Sequence, residues 1–252
     1  LPLLPEGAAG WMHILAWLCI GNILYCGWVA MRQRDLNLLI GNSSLAHMGF
    51  CFLGLASVSV IGITGTVLVM VSHALLAGLS FAIVGWMQRQ TGTSDIQRLG
   101  GLLARLPFFG SVMMAAFLAG CGVPGFANFV GEAMVLFGSW RVFPLVTTLA
   151  AWGALVIGAV YMLRAVRNIL HGPEKSEWAA LKDAGAWAKV PFVLLLAALL
   201  LLGVWPRLLT DKIQPSVAPI IAMAEAKTVD KSRPVDVKKA AGEAKQRAVQ
   251  PR

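Results

Sequence analysis

Six apolar runs dominate this chain of 252 residues and leave it few ways to fold. They occupy residues 11–31, 38–60, 63–87, 106–137, 143–163 and 190–205. In hydrocarbon every backbone N–H and C=O must find a partner within the protein, so runs of this kind cross a bilayer as helices. A hydrocarbon core of about 30 Å takes roughly 20 residues of helix, which runs 11–31, 38–60, 63–87 and 143–163 supply in one piece. The run at 106–137 is too long for one straight span, and its centre reads Gly120-Cys121-Gly122-Val123-Pro124-Gly125. Proline removes a backbone donor and clashes with the preceding turn, so this centre predicts two half-helices. The expected fold is an all-α polytopic membrane protein with about six transmembrane helices, one of them discontinuous. The membrane domain is read over residues 1–210, followed by a polar basic tail at 211–252. From Ile213 onward Pro, Ala, Lys and Glu dominate without sustained periodicity, so the tail is expected to be disordered.

Charge placement gives a topology. Charged residues make up only 13% of the sequence, against about a quarter in soluble domains. The formal charge of +9 does not point to nucleic acid, because the basic residues lie in loops and in the tail and not along one soluble face. Arg32 and Arg34, then Arg89, Arg98 and Arg105, then Arg164, Arg167, Lys175, Lys182 and Lys189 fall in alternate loops, whereas Arg141 stands alone between spans on the other side. The positive-inside rule places the three basic loops in the cytoplasm and both chain ends on the periplasmic side. Residues 174–188 read equally well as a solvated loop or as an interfacial helix turning Trp178, Leu181 and Trp187 to lipid. Cys19, Cys26, Cys51 and Cys121 lie inside apolar runs without ligand spacing and read as small buried hydrophobes. The start, Leu1-Pro2-Leu3-Leu4-Pro5, resembles neither an initiator region nor a signal peptide, so the sequence reads as the interior and end of a longer protein.

Chemistry concentrates at three residues. Between Asp95 and Glu174 the only acidic residue is Glu132, eight residues beyond Pro124 and inside an apolar run. A carboxylate in hydrocarbon costs several kcal/mol unless paired, hydrated or protonated, which marks it as functional. The broken helix beside it frees backbone groups that a protein-lined or watery cavity must satisfy. His47 in the second span and His73 in the third complete a set of titratable groups on consecutive spans, and imidazole both gives and takes a proton near neutral pH. Each group alone has a plainer reading, a satisfied core histidine or a structural hydrogen-bonding carboxyl. Together they point to proton movement through the membrane. Ser43, Ser44, Ser72, Asn128 and Ser139 can line a wet path or serve helix packing. Nothing in the sequence forms a phosphate loop, a nucleophile elbow or a metal-ligand set.

These residues sit in motifs with a family likeness. Arg34-Asp35-Leu36-Asn37-Leu38-Leu39-Ile40 leads into Asn42-Ser43-Ser44-Leu45-Ala46-His47-Met48-Gly49-Phe50. Met70-Val71-Ser72-His73-Ala74-Leu75-Leu76, Arg89-Gln90-Thr91-Gly92-Thr93-Ser94-Asp95-Ile96, Leu99-Gly100-Gly101-Leu102 and Gly122-Val123-Pro124-Gly125-Phe126-Ala127-Asn128-Phe129-Val130-Gly131-Glu132 follow in order. Over residues 1–210 the chain resembles the antiporter-like M subunits of bacterial NADH:quinone oxidoreductase, respiratory complex I. The resemblance implies the second of two inverted five-helix repeats plus a closing helix, with Glu132 on the family's acidic position of the broken helix and His47 and His73 on its intramembrane histidines. It implies a proton-translocating subunit without a redox centre, with NADH, FMN, iron–sulfur clusters and quinone on partner subunits and with L-type and N-type membrane subunits as neighbours. L-type and N-type subunits carry lysine at the broken helix, so Glu132 favours M. A multisubunit cation/proton antiporter of the Mrp type, or a membrane-bound hydrogenase, shares the repeat and is the alternative. Two departures stand out: Asn37 replaces a basic residue usual in the family, and the first repeat, with its glutamate and lysines, is not in this sequence.

Overall fold

In a computed structural model, which describes the backbone of residues 5–232 and the side chains of 10–224, the chain is a helical bundle. Its helices are α1 (Pro5–Arg32), α2 (Leu36–Ala56), α3 (Val60–Thr91), α4 (Leu102–Arg105), α5 (Pro107–Gly120), α6 (Ala127–Trp140), α7 (Pro144–Trp152), α8 (Ala159–Leu170), α9 (Ala186–Val204) and α10 (Arg207–Ser232). A π-helical turn, Gly153–Gly158, joins α7 to α8 into one continuous span. Five helical stretches are long and apolar enough to cross a membrane, and α5 with α6 forms the expected broken one.

Local sequence sets the helix ends. Asp35 and Ser59 cap α2 and α3 by accepting from Leu38 N (3.1 Å) and Gly62 N (3.0 Å), which satisfies otherwise orphaned donors. Gly92, at φ 69°, closes α3 in the left-handed conformation that glycine adopts without penalty. Pro107 and Pro144 open α5 and α7, where a missing N–H is harmless.

The three basic loops meet at one end of the bundle. Leu36 N donates to Ser94 O (2.9 Å) and Ile96 N to Arg34 O (2.8 Å), which ties the first loop to the second. Lys175 Nζ donates to Gln97 O and Arg98 O, and Arg105 pairs with Glu174 at 3.3 Å, which ties in the third. Asn37 lies here and reaches Gln88 Oε1 at 3.4 Å. At the opposite end lie the α2–α3 turn, the α6–α7 turn and α10, so the alternation of loop charge corresponds to two faces of one bundle.

Of the two readings of residues 174–188 the structure shows the loop, with a single 3-10 turn, Ser176–Trp178, before α9; the expectation of a disordered tail needs correction. Trp178 is buried against the core and Asp183 accepts from Phe108 N (2.7 Å), so the loop folds inward to satisfy the start of α5; Trp187 alone is fully outward, 91% exposed. The tail is helical through Ser232, because Ile213, Val217 and Ile221 recur every four residues and dock on Leu55, Val58, Val60 and Ile63. Residues 233–252 of that tail lie outside the described residues.

Candidate functional site

The break between α5 and α6 builds the site. Gly122 (φ 69°) and Gly125 (φ 107°) carry the chain through conformations that side-chain-bearing residues rarely adopt. Gly122 also faces the carboxylate, since a Cβ there would stand 3.0 Å from Glu132 Oε2. From its restart at Ala127, α6 buries Asn128, Gly131, Glu132 and Val135. Glycines hold α6 tightly on α3: a Cβ at Gly131 would come within 2.9 Å of Val69 N, one at Gly65 within 2.8 Å of Val135 N, and Gly138 packs directly on Gly62.

His47 stands between the other two predicted groups. Its Nε2 lies 3.4 Å from Glu132 Oε1, an ion-pair distance slightly beyond a hydrogen bond. Its ring stacks on that of His73 with centroids 5.1 Å apart and planes at 27°. Glu132, His47 and His73 are 7%, 6% and 8% exposed, so the row is shielded along its whole length.

Hydrogen bonding fixes which nitrogen does what. His47 Nδ1 lies 2.7 Å from Ser43 O, and a carbonyl only accepts, so Nδ1 carries a proton. Nε2 is therefore the nitrogen turned to Glu132. One proton must lie between carboxyl and imidazole for the contact to be favourable: either a carboxylic acid donates to bare Nε2, or a carboxylate meets an imidazolium. His73 Nε2 is 2.6 Å from Ser44 Oγ, while its Nδ1 is buried with no partner among the described residues.

A small cavity lies on each side of His47. One, of about 20 Å³, is lined by His47, Glu132, Cys121, Tyr161 and residues of the π-helical turn, Gly153, Ala154 and Gly158. The other, of about 10 Å³, is lined by Ser43, Ser44, His47, His73, Ser80 and Met162. A water needs roughly 10–15 Å³ on this measure, so each is about one water in size. Tyr161 was not anticipated from the sequence. Its hydroxyl donates to Ser43 Oγ at 2.9 Å, and the side chain is 2% exposed. The available signal was its rarity: Tyr161 is one of two tyrosines in the chain, and its hydroxyl requires a partner in an apolar run.

The other polar residues divide. Ser43 and Ser44 join the site, whereas Ser72 bonds its own helix at Val69 O, and Ser139 accepts from Thr147 Oγ1 (3.0 Å) near the α6–α7 turn. Asn128, one turn before Glu132, is fully buried with neither amide atom partnered among the described residues. All four cysteines are buried and free, as expected of small apolar fillers.

The chain is similar to known membrane proteins. The transmembrane family described as NADH:quinone oxidoreductase/Mrp antiporter matches residues 1–158. NADH-quinone oxidoreductase subunit M of Pseudomonas aeruginosa is 36% identical over 213 residues, 84% of this chain and 41% of that protein. A chain in respiratory complex I from Thermus thermophilus with bound NADH superposes with a TM-score of 0.83 at 30% identity, covering 88% of this chain and 47% of that one. A chain of the Mrp complex from Dietzia sp. DQ12-45-1b shares the fold, with a TM-score of 0.77 at 16% identity over 86% of this chain and 48% of that one. Spanning less than half the length of the curated relatives it matches, the chain belongs to the NADH:quinone oxidoreductase/Mrp antiporter transmembrane family, with its sequence similarity to the M subunit.

Proposed function

We propose that this chain is the part of an M-type, proton-translocating membrane subunit of NADH:quinone oxidoreductase in which Glu132 takes up and releases the proton, with His47 as its immediate exchange partner and His73 as the next. The buried row of Glu132, His47 and His73, flanked by two water-sized cavities, is the observation that carries this reading.

Magnitudes support it. At 3.4 Å and an effective dielectric of about 20, a charged His47 attracts an ionised Glu132 by about 5 kcal/mol. Moving one charge against a potential of about 150 mV takes roughly 3–4 kcal/mol. Gain or loss of one proton at His47 is thus comparable with the work of pumping, so the pair can store and release enough to drive a proton uphill. Electrons pass elsewhere: NADH, FMN, iron–sulfur clusters and quinone belong to partner subunits, and the L-type and N-type membrane subunits are the neighbours in a bacterial inner membrane. The second reading, a subunit of a cation/proton antiporter, rests on the fold shared with the Mrp complex. The similarity to M subunits at 36% identity favours the first.

Glu132→Gln in the intact complex tests the proposal, because it keeps shape and hydrogen bonding while removing titration. Protons moved per electron, measured in sealed vesicles, should fall well below wild type with complex content unchanged, and Glu132→Asp should lose less. Wild-type stoichiometry in Glu132→Gln would overturn the role.

A further inference from the structure

We infer that the hydroxyls of Tyr161 and Ser43 form a second proton bridge between the two cavities, parallel to His47. The inference rests on the reading of Glu132 and His73 as proton-exchanging groups.

His47 is the obvious link, since it lines both cavities. Tyr161 also lines the Glu132 cavity, Ser43 also lines the His73 cavity, and the two hydroxyls are joined at 2.9 Å. The two cavities are therefore connected twice, once through an imidazole and once through a pair of hydroxyls.

The hydrogen-bond inventory gives this bridge a polarity. Tyr161 spends its proton on Ser43, and among the described residues nothing donates to Tyr161 Oη. Ser43 Oγ accepts that proton, and among the described residues nothing accepts the proton of Ser43. A free lone pair thus belongs to the Glu132 side and a free O–H to the His73 side. A proton delivered to Tyr161 Oη from a water in the first cavity displaces Tyr161's own proton onto Ser43 Oγ, and the Ser43 proton leaves into the second cavity. Both hydroxyls end neutral, one O–H bond is formed for each one broken, and rotation about the two C–O bonds restores the starting arrangement. Tyr161, on the helix that follows the π-helical turn, is packed in the core and bonded to Ser43, so its hydroxyl stays aligned with the cavity.

The test is a double-mutant cycle in the intact complex, read as protons pumped per electron with complex content followed in parallel. His47→Ala alone should lower pumping about twofold to threefold, because the hydroxyl bridge remains. Tyr161→Phe alone, which removes only the oxygen, should lower it no more than about twofold. The double variant should fall at least tenfold, more than the product of the single effects, as expected of parallel routes. If the double variant does not assemble, His47→Ala with Ser43→Ala interrupts the same bridge at its other oxygen and should show the same excess loss. A double-variant loss equal to the product of the singles overturns the bridge while leaving Glu132 in place. Failure of the underlying proposal is recognised separately, by wild-type pumping in Glu132→Gln.

Discussion

Helix α6 has two unlike faces, and the difference shows how a buried carboxylate can be fixed in place and still have room beside it, as the proposed role of Glu132 requires. Toward α3 it is dry and jointed by glycine: Gly65, Gly131 and Gly138 bring the backbones so close that no side chain fits between them. Toward α2 the same helix offers Glu132 to His47 across 3.4 Å and a water-sized cavity. The tight face fixes the position of the carboxylate; the loose face leaves space for its proton to move. A proton site in a membrane needs both, because a loose scaffold would let the charge find water at random and a tight site would hold the proton permanently.

Breaking the dry face should have the largest effect. Gly138→Ala drives a methyl group into the backbone of Gly62, which has no soft side chain to yield. Overpacking of this kind costs about 1–3 kcal/mol and more where backbone must shift, so the amount of assembled chain on a native gel should fall to a small fraction of wild type. Gly78→Ala, on the same α3 but facing open space, sharpens the comparison by leaving content at the wild-type level.

The loose face should respond differently, losing activity and keeping structure. His47→Ala and His73→Ala should each reduce proton pumping severalfold at most, because a water can bridge a polar gap at modest cost. The pair together should exceed the product of the two single losses, because a water can replace either of the two stacked rings but cannot span the gap left by both. Losses that combine independently and track complex content would assign both histidines to packing.

The span pattern was readable in the sequence because apolar length is a local property. The same holds for the broken helix, announced by Gly120 to Gly125, and for the two faces of the bundle, announced by loop charge. The pairing of His47 with Glu132 depends on the register of α2 against α6, which no local pattern encodes, so the sequence supplied three groups on three spans without their order. The inward course of residues 174–188 was missed because Asp183 accepts from Phe108 N, 75 residues away in sequence, and Trp178 joins a core assembled from several helices. The helical tail was missed because Ile213, Val217 and Ile221 are spaced among Gln, Pro, Ser and Ala, and their value appears only against the α2–α3 turn. The π-helical turn at Gly153–Gly158 leaves no signature in an apolar run, although it lines the Glu132 cavity.

Infrared difference spectroscopy of the intact complex during turnover tests the central claim most directly, because a carboxyl group announces its protonation through its C=O stretch. Wild-type minus Glu132→Gln spectra should isolate a protonated-carboxyl band that rises and falls with the catalytic cycle, shifts in heavy water and disappears together with the pumped proton. A cycle-dependent carboxyl spectrum unchanged by Glu132→Gln, with pumping intact, would contradict the account and leave Glu132 as a structural group at a helix break.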